Sequence, residues 1–502
     1  MIVNLFTVEA LVTDRVYEQQ FGEAAGVDVS PLSLRFDADG DVRAMVCNEI
    51  MVPGDKLTRF QAFPGAELPD FHGRTRFPVP DRPGEYCDQT TFLEMPKYMA
   101  QWIHWPDRVK AVLEGRYFDL PPAHYEGIFT LVCNFLCPHC TRRTTRLKWV
   151  DGGTWNHNTP ISEANTLHPT GLRRVIDELA ELRVDNQMGI IWGGGDPTSN
   201  PFTYDGMLYA RAKGISASFL TNGVFLEVDR CLDADPTLIR ISLNCGTEEA
   251  YRRFHGYPKG WDYFAQIKIK MRELVRRKIE RRAKTLIGIS LIIDERNIND
   301  VVAAAEEIRA VVDEVGPGID YVIVRPVMNY SHFQRDYAMV RDGTKDRARY
   351  MVEPGGPVWT ILNELGIPLI LIKDSFDQKP EAHFYESDSD CLAYGLCGEI
   401  RHNGDVQLCS DSYGNPEYTI GNIFERPLRD ILKSDRRREV LDRINGMKCY
   451  ETRCPHNSRG HHHNRVFHQI EAMRRAGKMD EVAGWIDDMR ACTHDLGHSF
   501  FI

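Results

Sequence analysis

At 502 residues the chain exceeds one ordinary core, so two or three domains are expected, and 42% apolar with 26% charged residues is a globular balance, not a disordered or fibrous one. A formal charge of −11 and a pI near 5.9 disfavour general binding to nucleic acid or to anionic membranes. No run of about eighteen apolar residues occurs, which excludes a membrane-spanning helix.

The segment Met1 to Val12 lacks the basic start and apolar stretch of a secretion signal, so a cytoplasmic location is expected. Thirteen cysteines there argue for metal or redox chemistry and against a disulfide framework. Over residues 1–120, Pro- and Gly-rich turns (Phe63 to Gly65, Phe77 to Gly84) separate short strand-like pieces, and this reads as a separate N-terminal region of unknown role. Gly40-Asp41-Val42 within it has the chemistry of a hairpin turn.

From Glu126 to Arg325 apolar strands alternate with amphipathic helices, the mark of parallel βα units, and we place a core domain at 121–335. Strands are expected at Gly127 to Val132, Met188 to Trp192, Ile215 to Leu220, Leu238 to Leu243, Leu286 to Ile293 and Tyr321 to Arg325. Between them Leu172, Val175, Ile176, Leu179 and Leu182 repeat at helical spacing behind Pro169. So do Phe264, Ile267, Met271, Leu274 and Val275, and then Val301, Ala305, Ile308 and Val312. These stripes are core. The basic run Arg276 to Lys284 reads as a solvated helix end.

The fold class is therefore α/β, a partial (β/α)6 barrel whose site lies at the C-terminal ends of its strands by analogy with the closed eight-unit barrel. A connector at 336–390 carries a helix around Val358 to Leu365 and a strand around Pro368 to Lys373. A cysteine-rich C-terminal region spans 391–502.

Cys133, Cys137 and Cys140 fall in the loop directly after the first strand. Three thiolates at this spacing wrap one corner of an iron–sulfur cubane and leave the fourth iron without a protein ligand. An open metal site is where substrate chemistry happens. The alternative, a structural zinc held by these cysteines and His139, requires the histidine to fold back between two of its fellow ligands.

This CxxxCxxC loop resembles that of the radical S-adenosylmethionine superfamily, and three further segments match in order. Trp192-Gly193-Gly194-Gly195-Asp196-Pro197-Thr198 is similar to the family's GGEP motif, with Asp where Glu is usual. Thr221-Asn222-Gly223 is similar to its TNG, and Ser242-Leu243-Asn244 to its SxN segment. The resemblance implies a catalytic 4Fe-4S cluster on Cys133, Cys137 and Cys140, with S-adenosylmethionine chelating the open iron. It implies cosubstrate contacts from Gly194, Gly195, Asp196, Thr221, Asn222, Ser242 and Asn244, and adenine packing on the Leu286 to Ile293 strand. Arg325, ending the sixth strand, either grips a carboxylate or phosphate or closes a salt bridge within the barrel.

The tail resembles the family's SPASM or twitch extension: Cys391, Gly404 and Cys409 stand at its spacing, followed by Gly421-Asn422-Ile423, Cys449 and Cys454. The resemblance implies one auxiliary 4Fe-4S cluster on Cys391, Cys409, Cys449 and Cys454, with Cys397 in reserve; Ser458 replaces the family's closing cysteine. Zinc on four cysteines is the alternative. The run His461, His462 and His463 cannot converge on one ion from a helix and is expected to be solvated or substrate-facing. Cys47, Cys87, Cys231, Cys245 and Cys492 read as buried free thiols.

The function these motifs imply is reductive cleavage of S-adenosylmethionine to a 5'-deoxyadenosyl radical that takes hydrogen from a small-molecule substrate, in an oxidation, epimerisation or rearrangement. The second reading is a ribosomal-peptide maturase, ranked lower because the N-terminal region shows no run of three amphipathic helices. An iron–sulfur carrier or zinc module, the third, has no use for the segments at the strand ends. An electron donor such as flavodoxin or ferredoxin is the expected partner. No individual catalytic residue beyond these ligands is legible.

Overall fold

The computed structural model describes residues 100–140, 165–182, 188–327, 342–371 without 354 and 368, 390–449 without 413, 454 and 459–493, together with four two-residue strands, Arg35–Phe36, Val42–Arg43, Phe77–Pro78 and Tyr86–Cys87. Arg35–Phe36 pairs antiparallel with Val42–Arg43, and the turn expected at Gly40-Asp41 lies outside the described residues.

One ten-stranded sheet organises the rest. Six parallel strands lie side by side in chain order: β1 (His124–Thr130), β2 (Met188–Gly194), β3 (Ile215–Thr221), β4 (Leu238–Ser242), β5 (Leu286–Ile293) and β6 (Tyr321–Pro326). Parallel neighbours need a crossover. Here α1 (Pro169–Leu182), α2 (Thr203–Ala212), α3 (Val228–Ala234), α4 (Glu248–His255), α5 (Tyr263–Arg281) and α6 (Val301–Val315) provide it. This is the expected partial barrel. The strand of the connector, β7 (Leu369–Leu371), extends it by pairing parallel with β6 after α7 (Asp342–Val352) and α8 (Pro357–Glu364).

At the opposite edge β8 (Cys397–Arg401) pairs parallel with β1, placing Cys397 opposite His124 and Glu399 opposite Glu126. Antiparallel β9 (Asp405–Gln407) and β10 (Thr419–Asn422) complete the sheet, the β8–β9 hairpin turning at Gly404 with φ of 84°. The cysteine-rich region thus continues the βα sheet. Among the described residues the sheet stays open, with β7 and β10 as its edges.

Period-two alternation sorts the side chains. Ile215, Ala217 and Phe219 of β3, and Tyr125 and Phe129 of β1, join the helix-covered core with the stripes of α1, α5 and α6. Several of the intervening positions are polar, among them Ser216 and Ser218 on β3, His124 and Glu126 on β1, and Glu399 and Arg401 on β8. The basic end of α5 is a charged surface, with Arg281 paired to Asp229 and Asp233, and Arg277 to Glu280.

A second, smaller core joins residues 100–123 to α10 (Arg459–Arg475) and α11 (Met479–Thr493). Trp102 meets Phe467 edge-on at 5.6 Å, and the Arg474 guanidinium donates to the Val112 and Leu113 carbonyls at 2.8 and 2.7 Å. His461 and His463 on α10 are buried, each 1% exposed. This corrects the solvated reading for these two side chains: the first turns of α10 lie between the cysteine-lined cavity, where Asn464 meets Cys391, and the Trp102 core, so polar side chains are carried inside. Cys231 and Cys245 are buried free thiols, as expected. The side chains of Cys47, Cys87 and Cys492 lie outside the described residues, as does Ser458.

Candidate active site at the ends of the parallel strands

The loop leaving β1 is shaped by two glycines of β2 and the turn after it. A Cβ on Gly194, whose φ is 115°, would stand 2.1 Å from the Thr130 carbonyl oxygen, and one on Gly195 would stand 2.1 Å from that of Val132. Only glycine permits that approach. It lets Gly195 N–H donate to Thr130 O at 2.7 Å and Asp196 N–H to Val132 O at 2.8 Å. The backbone entering Cys133 is thereby clamped.

The loop's far side rests on α4. Phe135 is buried in an aromatic box, stacked on Tyr257 with centroids 5.5 Å apart and tilted over His255 at 4.6 Å. Leu136 N–H donates to the His255 carbonyl at 3.0 Å. Cys133, Cys137 and Cys140 remain half-buried. The Phe135 N–H donates to Cys133 Sγ at 3.4 Å, and His255 Nδ1 lies 3.4 Å from Cys137 Sγ.

His139 faces away from such a set. Arg296 Nη2 lies 3.2 Å from its Nδ1, and its ring sits 4.4 Å from that of Phe254. Burial, then the charges of Arg296 and Arg325, push its pKa down to about 3. It is neutral, with Nδ1 accepting from the guanidinium. Arg325, opposite Ile292 on β5, brings a positive charge from β6 toward this same loop.

Asp196 does something its motif does not announce. Its carboxylate accepts from the Thr198 N–H at 2.9 Å and hydroxyl at 2.5 Å, from the Thr221 hydroxyl at 2.9 Å and from the Asn222 N–H at 2.7 Å. Both oxygens are engaged by protein donors. Burial raises the carboxyl pKa, and these four donors pull the other way. The side chain works as a strut from the β2 loop to the β3 loop.

Asn222, held by that strut, donates from Nδ2 to Asn134 Oδ1 at 2.7 Å, between Cys133 and Cys137. Ser242 is half-buried at the end of β4. Asn244 sits in the left-handed region at φ 58°, its Oδ1 accepting from Ile292 N–H at 2.8 Å and its carbonyl accepting from Asn297 Nδ2 at 2.8 Å. The four segments therefore meet at one end of the sheet.

Sequence reasoning missed α4 and the β5 loop. Tyr251, Phe254 and His255 recur at i, i+3 and i+4, which reads as a core stripe, and they are buried. They also form the floor under the cysteine loop.

In the C-terminal region Cys391, Cys397, Cys409, Cys449 and Cys454 all line one apolar cavity, with Tyr418, Ile444 and Asn464. Three of the thiols receive protein hydrogen bonds: Asn464 Nδ2 donates to Cys391 Sγ at 3.4 Å, Asp411 N–H to Cys409 Sγ at 3.4 Å, and Ser410 hydroxyl to Cys397 Sγ at 3.9 Å. Tyr418 OH is 3.1 Å from Cys449 Sγ. Burial pushes the Cys391 and Cys409 thiols up. Among the described residues no three Cys, His, Asp or Glu side chains converge closely enough to hold a single ion. Tetrahedral zinc would hold its sulfurs about 3.8 Å apart, given Zn–S near 2.3 Å. Several cysteine sulfurs lining one apolar cavity, met by N–H and O–H donors, is the donor chemistry of an iron–sulfur cluster.

Two family models match the chain. The radical SAM superfamily matches residues 128–319, and the SPASM iron–sulfur cluster-binding domain matches residues 391–455. A curated relative, the AdoMet-dependent heme synthase of Methanosarcina barkeri (strain Fusaro / DSM 804), is 23% identical over 316 residues, 60% of this chain and 79% of its own. Among solved structures, Streptococcus suis SuiB bound to precursor peptide SuiA has a TM-score of 0.46 at 14% identity, covering 68% of this chain and 72% of that one. Native anSMEcpe with bound AdoMet has a TM-score of 0.44 at 12% identity, covering 72% and 100%.

Proposed function

We propose, from the premise that this chain is a radical S-adenosylmethionine enzyme with a SPASM iron–sulfur domain, that it removes a hydrogen atom from a polar small-molecule substrate held over the inner face of the sheet. The cofactors are a catalytic 4Fe-4S cluster, S-adenosylmethionine and an auxiliary cluster. When bound, they supply the electron that splits the sulfonium and the 5'-deoxyadenosyl radical that follows.

The observation that carries the reading is the meeting of the Cys133–Cys140 loop with the ends of β2, β3 and β4. Cys133, Cys137 and Cys140 hold the catalytic cluster in this reading. With the Asp196 carboxylate buried and engaged by four protein donors, the acceptors for the cosubstrate's amino group in this reading are the backbone carbonyls of the Gly194–Gly195 turn, and Asp196 acts by fixing the turn and Asn222. Thr221 is engaged by that same strut, so its part is positional as well. Ser242 and the Asn244 segment face the ribose and carboxylate, and β5 underlies the adenine. Arg325 supplies a cation at the mouth.

Cys391, Cys409, Cys449 and Cys454 hold the auxiliary cluster, with Cys397 on the same cavity wall as the alternative fourth ligand. A single auxiliary cluster suits an oxidation, because it can take the electron of a substrate radical. The small-molecule reading is supported by the name of the curated relative, a heme synthase, and by charged inner-face residues such as Glu126, Glu399 and Arg401. Flavodoxin or ferredoxin is the electron donor in this reading. The cytoplasm is its place, a reducing compartment in which thiols such as Cys231 and Cys245 stay free.

The test is anaerobic reconstitution followed by reductant and S-adenosylmethionine. 5'-Deoxyadenosine should form in the reconstituted protein and not in C133A, C137A or C140A. Iron-loaded protein that forms none would refute the proposal.

A further inference from the structure

We infer that His255 is a positioning and tuning residue for the catalytic cluster, donating a hydrogen bond from Nδ1–H to the sulfur of Cys137. The inference rests on the proposed function only in taking Cys137 as a cluster ligand.

The ring lies between two partners. Its Nδ1 is 3.4 Å from Cys137 Sγ, and its Nε2 is 3.4 Å from Asn244 Nδ2. Which nitrogen carries the proton follows from the neighbouring amide. Ile292 N–H donates to Asn244 at 2.8 Å, and only an amide oxygen can accept it, so the Asn244 NH2 is the end turned toward the ring. An NH2 group is a donor, and Nε2 must accept from it. His255 is 2% exposed and packed against Phe135 and Tyr251, which hold the ring in this orientation, and with Nε2 accepting from the amide the ring N–H is the one at Nδ1. That proton faces the sulfur.

The Leu243 carbonyl is a further acceptor at the ring. Ligation of iron makes the Cys137 sulfur a thiolate, which a ring N–H stabilises and a ring lone pair would repel, so ligation favours the Nδ1–H tautomer.

The chain of contacts has a consequence for the cosubstrate. Asn244, at the end of β4, is joined through one imidazole to a cluster sulfur, so the cosubstrate pocket and the cluster share a rigid link. A hydrogen bond to a ligating sulfur stabilises the reduced, more negative cluster and raises its potential. Tyr251 stands one helical turn before His255, its ring 4.3 Å from the imidazole, and fixes the ring's plane.

Two variants separate this role from simple packing. H255F keeps a ring in the aromatic box without a donor. H255Q keeps a donor for the sulfur and an acceptor for Asn244. In EPR-monitored redox titration of the full, reconstituted protein, followed on the cluster whose signal responds to S-adenosylmethionine, H255F should shift to more negative potential and H255Q should match the unmodified protein. An unmoved potential in H255F overturns the inference. Should H255F assemble no cluster, H255M is read in its place. A second readout needs no loss of donor. In protein labelled with 15N-histidine, a weak nitrogen coupling to the reduced cluster should be present and should disappear in H255Q, and identical spectra overturn the inference. Absence of any cluster responsive to S-adenosylmethionine in the unmodified protein would instead sink the proposed function, so the two failures are distinguishable.

Discussion

The Asn222 backbone N–H donates to the Asp196 carboxylate at 2.7 Å, joining the loops that end β2 and β3. The same carboxylate takes the Thr221 and Thr198 hydroxyls, so one buried acid fixes two of the segments that surround the cysteine loop.

D196N should therefore act through geometry. An amide in this place offers NH2 where the protein presents N–H or O–H, leaving a buried donor unsatisfied at about 1–3 kcal/mol. If that cost is felt only in the competent loop arrangement, S-adenosylmethionine should bind roughly 10- to 100-fold more weakly with cluster content unchanged. Anaerobic calorimetry checks this. Unaltered affinity would show that the strut does not shape the pocket.

G195A tests the clamp on the cysteine loop. Its Cβ would press on the Val132 carbonyl oxygen at 2.1 Å, a backbone atom that cannot swing aside. Overpacking of this kind costs typically ~1–3 kcal/mol, and the relief available is displacement of the chain entering Cys133. Lower iron incorporation and loss of 5'-deoxyadenosine formation are expected, measured together on one preparation. Full incorporation with normal turnover would contradict the clamp.

For the C-terminal cavity, the double variant C391A/C409A should fall from about eight to about four irons per chain, two cubanes becoming one. Cleavage of S-adenosylmethionine without substrate should survive, since these thiols line a cavity of their own. C397A decides the fourth ligand: retention of the higher iron count assigns Cys449 and Cys454 with Cys391 and Cys409, whereas a drop gives Cys397 a ligand's place.

Asp205 on α2 gives a pH dependence unrelated to metal. Burial, the largest influence, raises its pKa from 3.8 to about 7, despite Arg230 at 3.0 Å. A carboxyl whose pKa is higher in the folded chain stabilises it below the unfolded pKa and loses that contribution as pH rises through the folded one. The contribution should fade between about pH 4 and pH 7, with a size on the order of 4 kcal/mol. The thermal midpoint of the native chain should fall relative to D205N across that window. A constant difference would refute it.

How much of this was legible differs by element. The CxxxCxxC loop and the glycine turn were readable because ligand spacing and forbidden Cβ positions are local properties of the chain. The strands of the core were readable from short apolar runs alternating with helical stripes. The docking of β8 on β1 was not, because a five-residue strand pairing with a partner far upstream carries no local signal. His255 was invisible for a different reason: on α4 it continues the stripe of Tyr251 and Phe254, and a core stripe and a ligand-supporting floor have the same periodicity. Asp196 was identified in its motif, but its real partners come from the end of another strand. The burial of His461 and His463 overturned the solvated reading of that run, since what covers them is the packing of α10 against a distant segment.

The account depends on three cysteine sulfurs leaving one iron open to the amino and carboxylate groups of S-adenosylmethionine. Its most direct test is pulsed EPR of the reduced, reconstituted protein with S-adenosylmethionine carrying 15N in the amino group and 17O in the carboxylate. Resolved couplings from both labels to the cluster, lost in C137A, are the predicted result. A loaded and reduced cluster that shows neither coupling would contradict the account.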